Sequence, residues 1–549
     1  MPSRRGWLAL TLGALCLAAT AVPISFSAAA SATNENAHTL VLALPGPFNG
    51  CGYLDQGATS TSDSILDLVR PSAFVNAPNG VLVGQDGPIA SAELTSLSPE
   101  TVRYTIAPNL SWSNGVAFTG EDLVSWWMRA RSLASVVSDG YRTIKSLVVA
   151  TNGLTVTAVF ATPYADWDLL FRDIDEPGAT TGCALSNLVS EPSLGPYRVT
   201  SATPSRIVLA MNPEWPLDPN RFGRVVITDS ANLPSSSTAT FADYALGVNR
   251  STVLALSTKP ALASRITSSS NIEELTFSPA AATTDSLAVR EALSWSLQRQ
   301  AMIDQLFGAV TFLPSVAASA IFSQGQSNYP GGGGPNPVGQ TTTTTTAPPT
   351  NVLSDCASCA LSTLRATGYV RTSSGWVNGV GTKLTVRLGV GPSALDHSVA
   401  LIVKSDWAAT GIATTVVDES TEIQASEAAA LGDVDVALLA RPTMTTPAYA
   451  ARSWDGPAYP DTYPSGVRNP EVTTLFSQAS AIFNPVTAAA TWLKLDQAIM
   501  TDFWVRPLFT APSLTIWSSS LTTVSTSFTV AGFVDQLPVW SKVPTTATT

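Results

Sequence analysis

Residues Asn109–Leu133, NLSWSNGVAFTGEDLVSWWMRARSL, decide how this chain is read, because three structural signals follow one another within them. Trp112 and Ser113 end a strand-like run that begins at Val102, and Asn114-Gly115 is a dipeptide that favours a tight turn. Val116–Phe118 then lead to a helix start. Thr119 and Asp122 have the spacing of a capping box, hydroxyl to backbone and carboxylate back again, and Glu121 and Asp122 suit the positive end of the helix dipole. Beyond them Leu123, Trp126, Trp127, Ala130 and Leu133 recur at three and four residues, so one helix face is apolar and rich in indole. Aromatic stripes at helical spacing fill cores far more often than they hold ligands, so this helix is expected to pack rather than to bind.

The same stretch resembles the W-S-D-G … T-A-E-D-V signature of the family 5 solute-binding proteins, receptors of ABC importers for oligopeptides, dipeptides, nickel and related solutes. Asn114 stands where the family has Asp, and Gly120 where it has Ala. Four further stretches resemble the family in its own order. Ser193–Trp215, SLGPYRVTSATPSRIVLAMNPEW, is the strongest, with Gly195, Pro196, Tyr197, Val199, Leu209, Asn212, Pro213 and Trp215 in place. Thr284–Phe307 is read as one long helix capped near Asp285, matching at Arg290, Ala292, Leu293, Leu297, Arg299, Ala301 and Ile303, with Gln298 replacing an Asp. Cys356–Thr367 is a helix ending at Gly368-Tyr369, and Trp504–Phe509 resembles the family's closing strand.

The rest of the chain supplies shorter elements. Thr39–Leu44 is a strand followed by a Gly/Pro/Asn loop and a helix over Ser62–Val69. Val81–Val83 and Val102–Ile106 read as strands around a Ser/Pro-rich turn, and Leu147–Val149 and Leu154–Phe160 as a hairpin. Later come strand Leu384–Leu388, helix Asp396–Thr410, strands Ile412–Val417 and Val434–Leu439, and helices from Glu471 and over Ala488–Asp502, an alternation that marks an α/β layer. The segment 324–350, with four consecutive glycines and six consecutive threonines, cannot build a core.

The resemblance implies an α/β chain with a two-lobed periplasmic-binding-protein-like fold of type II, enlarged by an extra domain, with mixed sheets flanked by helices and a hinge between the lobes. On that reading residues 1–32 are a signal peptide, 33–70, 191–275 and 504–549 build lobe I, 71–190 form the extra domain on lobe I, and 276–503 form lobe II with the loop 324–350.

Composition sets limits of its own. The 549 residues are 45% apolar, enough for sizeable cores, and charged residues are only 13% of the chain. A net charge of -11 gives no electrostatic footprint for nucleic acid or for an anionic membrane surface. Arg4-Arg5, the apolar run Trp7–Val22 and Ala30-Ser31-Ala32 read as an export signal, also similar to a twin-Arg signal, with the mature chain beginning near Thr33 and an uncleaved anchor as the alternative. Cys16 lies inside the apolar run rather than at its end, which argues against lipidation. Export leaves Cys51, Cys183, Cys356 and Cys359 in an oxidising compartment. Three pairings are possible. Cys356 with Cys359 and Cys51 with Cys183 is the pairing favoured; the C-x-x-C could also be a redox motif or half a zinc site, but the chain has no second C-x-x-C and only His38 and His397, so a structural bridge is expected.

The resemblance implies ligand capture rather than a reaction. Peptide-binding members hold the ligand main chain as an added strand and use an Asp of a W-x-x-D-Y segment for its ammonium group. Here Trp454 is followed by Pro457 where that Asp would stand, so Asp455 and Asp461 become the candidates, each weighed against an ordinary solvated carboxylate. Phe48, Asn49 and Tyr53, on the loop after the first strand, are candidates for the cleft wall. No catalytic residue, cofactor or metal site is assigned: the chain has two histidines, no G-x-S-x-G, no phosphate loop and no H-E-x-x-H. The expected protein is an exported, periplasmic or cell-surface monomer, with membrane association left open. It carries a solute, foremost an oligopeptide, to an ABC permease and its ATPase. A sugar or metal complex is the alternative solute, and a secreted hydrolase the alternative class.

Overall fold

The strand Thr39–Leu44, TLVLAL, is apolar at nearly every position and buried over most of its length, as a strand covered on both faces of a sheet must be. In the computed structural model it lies within a ten-stranded mixed sheet. The structure describes residues 39–52, 54–55, 60–77, 82–84, 87–133, 138–179, 182–215, 222–229, 241–247, 262–308, 316–322, 329, 355–442, 446–452, 454, 469–522, 524, 527, 530–537 and 540–542. The export segment, Tyr53, Asp455, Asp461 and all of 324–350 but Tyr329 lie outside the described residues.

Across the large sheet the order is Ala413–Asp418, Thr385–Val390, Val436–Pro442, Leu262–Phe277, Val505–Ser518, Phe241–Gly247, Thr39–Leu44, Arg224–Asp229, Arg206–Met211 and Tyr197–Thr203. Two long strands hold its halves together. Leu262–Ser268 pairs with Ser518–Pro512 beside the first half, and Ile272–Thr276 pairs with Thr510–Val505 beside the second, with the register shifting between Ser268 and Ile272. Each half has its own core, one around Leu42, Tyr197 and Ile227, the other around Leu388, Val403 and Trp407. The fold is therefore two-lobed.

A third core belongs to a separate antiparallel sheet in the order Ile89–Leu97, Glu100–Ile106, Thr155–Phe160 and Ile144–Val149. The helix Gly120–Ala130 packs on it with Leu123, Trp126 and Ala130 buried. Gly120 lies so close to the sheet that a Cβ there would stand 2.7 Å from Val149 and Val156, which accounts for Gly where a relative can carry Ala. The capping box is present, and Asp122 also accepts a hydrogen bond from the Trp112 indole at 2.9 Å. Trp126 and Trp127 donate to Tyr141, to its hydroxyl and its carbonyl, so the indole stripe is core.

Several elements differ from the reading of the sequence. The stretch between Val83 and Val102 holds a nine-residue strand, Ile89–Leu97, at the sheet edge, where all but Ile89 are at least partly exposed, so its small and polar residues leave little hydrophobic pattern. The single helix expected over Thr284–Phe307 is two, Leu287–Trp295 and Arg299–Phe307. Gln298 supplies no side-chain cap at the break. Asp406 and Asp355 accept from the Gln298 and Arg299 backbone N–H groups at 2.8 and 2.9 Å instead. Helix Glu422–Leu431, unmarked in the sequence, is rich in alanine and has no sharp apolar face. The closing strand runs on past Phe509 to Ser518.

Candidate ligand cleft

The register fixes where the two lobes confront each other. Phe241–Gly247 runs parallel to Thr39–Leu44 and antiparallel to Val505–Ser518, so both point along Leu262–Ser268 toward the register shift. In the other lobe Val436–Pro442 runs antiparallel to Asn271–Phe277, hence also toward the shift, and Thr385–Val390 and Ala413–Asp418 are parallel to it. The carboxyl ends of both strand sets thus face the same junction. Open α/β sheets bind ligands outside the carboxyl ends of their strands.

On the lobe I side the strand Thr39–Leu44 ends beside Asp229 and continues into the loop with Phe48 and Asn49. Phe48 is buried in the lobe core, and its N–H donates to the Pro204 carbonyl at 2.7 Å. Asn49 braces the loop, its Oδ1 accepting from the Ser62 hydroxyl at 2.7 Å and the Cys51 N–H at 3.1 Å. A disulfide joins Cys51 to Cys183 and fastens this loop to the chain leaving the extra sheet. The second disulfide, Cys356–Cys359, spans the start of helix Ala357–Ala366. A polar crevice beside Cys51 is lined by Arg70 and Glu191, but Arg70 already grips both Glu191 oxygens, at 2.6 and 2.8 Å.

On the lobe II side two helices begin at the carboxyl edge. Ser393 caps Ala394–Ala409 by accepting from the Asp396 N–H, and Thr421 caps Glu422–Leu431. Both first turns carry an acid, Asp396 and Glu422. They approach one spot: a Cβ on Gly391 would lie 2.9 Å from Glu422 Cγ and 3.1 Å from Asp396 Oδ2. A third acid comes from the long strand. Consecutive strand residues face opposite sides, so Glu274 turns to its ion pair with Arg441 at 2.9 Å while Glu273 is left with Asp396 and Glu422. Burial first, then those two carboxylates and Glu274, hold the Glu273 carboxyl well above the usual range. Burial and Asp396 push Glu422 up to about 7. Asp396 is also raised by burial. The sequence signalled Asp396 only as the start of a helix, and Glu422 and Glu273 not at all.

Of the residues singled out for ligand contact beyond the first loop, Trp454 is described. It is buried against Phe476 and Trp492 among helices Pro470–Ser480 and Pro485–Thr501, and its indole N–H has no partner among the described residues. Asp455 and Asp461 lie outside the described residues. Among the described residues no group of three or more His, Cys, Asp or Glu is arranged to hold a metal ion, and no helix is long and apolar enough to cross a membrane.

Residues 89–461 match the bacterial extracellular solute-binding proteins, family 5, in that family's middle region. The chain belongs to this family. It is 28% identical over 214 residues to the oligopeptide-binding protein OppA of Mycobacterium tuberculosis, a match that spans 36% of this chain and 36% of OppA. The chain thus spans about a third of the length of the curated relatives it matches. In fold it is similar to the periplasmic EDTA-binding protein EppA, with a TM-score of 0.77 at 19% identity over 92% of this chain and 96% of EppA. It is likewise similar to the oligopeptide-binding protein AppA of Bacillus subtilis, solved with a nonapeptide, with a TM-score of 0.69 at 13% identity over 92% and 99% of the two chains. These relatives are binding proteins.

Proposed function

We propose that this family 5 protein works outside the cytoplasm, captures an oligopeptide between its two lobes, and hands it to an ABC permease and ATPase. In this reading it acts as a monomer and performs no reaction. One observation carries it: two sets of parallel strands end face to face, beside a strand pair whose ladder slips between Ser268 and Ile272. A slipped ladder is a natural place for a hinge, and ligand then shifts the open and closed populations by its differential affinity for each.

The proposed division keeps 33–70, 191–275 and 504–549 in lobe I, 71–190 as the extra domain and 276–503 in lobe II, with the two long strands crossing between them. The proposed ligand contacts are the loop of Phe48, Asn49 and Tyr53 on one side, and Trp454, Asp455 and Asp461 on the other, an Asp taking the peptide ammonium group. The peptide reading draws support from OppA and AppA, the metal-chelate reading from EppA. The acidic edge formed by Glu273, Asp396 and Glu422 favours the first, since a peptide can bring N–H and ammonium donors to its unpartnered carboxyl oxygens.

A thermal shift screen with peptide pools, sugars and metal chelates tests this. A ligand at a hundred times its dissociation constant stabilises the folded protein by about 2.7 kcal/mol. Stabilisation by a peptide pool is the expected outcome; a response to sugar or chelate alone would remove the peptide assignment, and turnover of chromogenic esters or glycosides would instead make it an enzyme.

A further inference from the structure

The acids at the lobe II edge are an unusual use of buried space. Glu273 and Asp396 are 3% and 2% exposed, yet Glu273 Oε2 and Asp396 Oδ2 have no hydrogen-bond partner among the described residues. Buried carboxylate oxygens are almost always satisfied, because leaving one bare costs its full desolvation. The nearby cation, Arg441, turns its Nε to Glu274 on the opposite face of the strand, with its Nη2 unpartnered among the described residues. What is missing at this spot is a donor with positive charge.

The position suits a ligand. Gly391 directly follows the strand Thr385–Val390, and a Cβ there would collide with Glu422 Cγ at 2.9 Å and crowd Asp396 Oδ2 at 3.1 Å, so glycine is what lets the two acids converge at the strand's carboxyl end. Helix N-termini ordinarily attract anions, but here each first turn already holds its own carboxylate, which reverses the sign. Glu273 comes from the strand that joins the lobes, so a group held by all three acids would touch both a lobe II helix edge and the hinge. The arrangement lacks metal geometry, which leaves an organic cation. Lys and Arg side chains carry three and five donors, enough to satisfy the bare oxygens together.

We propose that Glu273, Asp396 and Glu422 form a subsite for a basic side chain of the captured solute, an ammonium or guanidinium group of a lysine- or arginine-bearing peptide. This rests on the reading that the cleft takes peptides and adds which peptides it prefers. Of the ionisable groups around the subsite, Glu274 is paired with Arg441, and His397 and Asp418 lie at the same edge. Binding a cation draws these carboxyls toward their ionised form, so capture releases protons to the buffer near neutral pH.

The test uses the exported full chain and pentapeptide pools with one position fixed as lysine, arginine or norleucine, measured by isothermal titration in buffers of different ionisation enthalpy. Agmatine and spermidine serve as non-peptide cations. The expected result is at least tenfold tighter binding of the lysine and arginine pools than of the norleucine pool, with proton release for the basic pools. Glu422→Gln, which keeps an acceptor for the Ala440 N–H it holds at 3.3 Å, should abolish that preference while still binding the norleucine pool. Asp396→Asn should do the same. Equal affinity of wild type for all three pools overturns the subsite and leaves peptide capture standing. If no pool binds but agmatine or spermidine does, and Glu422→Gln removes that binding, the peptide reading fails and the cation subsite survives. No response to any cation overturns the subsite.

Discussion

Asp122 shows how much one side chain of the opening motif does. Its Oδ2 accepts from the Thr119 N–H and hydroxyl, and its Oδ1 from the Trp112 indole, with Trp112 fully buried and edge-on to Phe118. The two halves of the motif are thus one contact. Asp122→Ala leaves a buried indole N–H and a helix cap unsatisfied, and should lower stability by about 2–4 kcal/mol in urea unfolding. Trp112→Phe keeps the ring packing and should cost less, and the double variant should fall short of the sum, because both changes delete the same bond. Strict additivity would mean that the bond contributes nothing. The cap was legible from the spacing of Thr119 and Asp122. The indole bond was not, since residues ten apart meet only once the Asn114-Gly115 turn has brought them together.

Elements were legible where burial on one face wrote a period into the sequence, and lost where it did not. Helix Gly120–Ala130 carries such a period and strand Thr39–Leu44, covered on both faces, is marked instead by a continuous apolar run, whereas the edge strand Ile89–Leu97 and the alanine-rich helix Glu422–Leu431 have neither. The break at Gln298 escaped because its caps, Asp355 and Asp406, are distant in sequence. The same distance explains the acidic subsite: Asp396 and Glu422 open two different helices and meet beside Gly391, and Glu273 reaches them only through strand pairing with Ala440. The disulfides put the effect of sequence separation to a direct test. Cys51–Cys183 closes 132 residues and Cys356–Cys359 closes 3. Chain-entropy reasoning then gives the first about 5 kcal/mol and the second about 2 kcal/mol. Replacing Cys51 and Cys183 together by Ser should therefore lower the denaturation midpoint more than replacing Cys356 and Cys359. The reverse order would show that the long bridge restrains little of the unfolded chain.

For the whole molecule, the two-lobed plan was visible through motif order, while the facing of the two carboxyl edges needed the register of the long strands. A further property emerges only when the assembled interior is considered at once. Burial raises Asp63, Glu100, Asp166 and Glu422 to about 7, and Asp168 and Asp496 to about 6, from ordinary values of 3.8 for Asp and 4.5 for Glu. Each of these groups holds its proton in the folded state at a pH where the unfolded chain has lost it. The folded state therefore binds more protons between about pH 4 and pH 7, and stability must fall as pH rises through that window. Without ligand, the melting temperature should be higher at pH 5 than at pH 8, opposite to proteins whose paired carboxylates are lost to acid. Glu100→Gln isolates one contributor. Its side chain is buried, one oxygen accepts the Tyr164 N–H at 2.6 Å, and the other has no partner among the described residues. The amide can keep that acceptor without ionising, so the variant should gain relative to wild type at pH 8 and flatten the profile. A melting temperature that rises from pH 5 to pH 8 would mean that these carboxyls ionise in the folded protein as readily as in water.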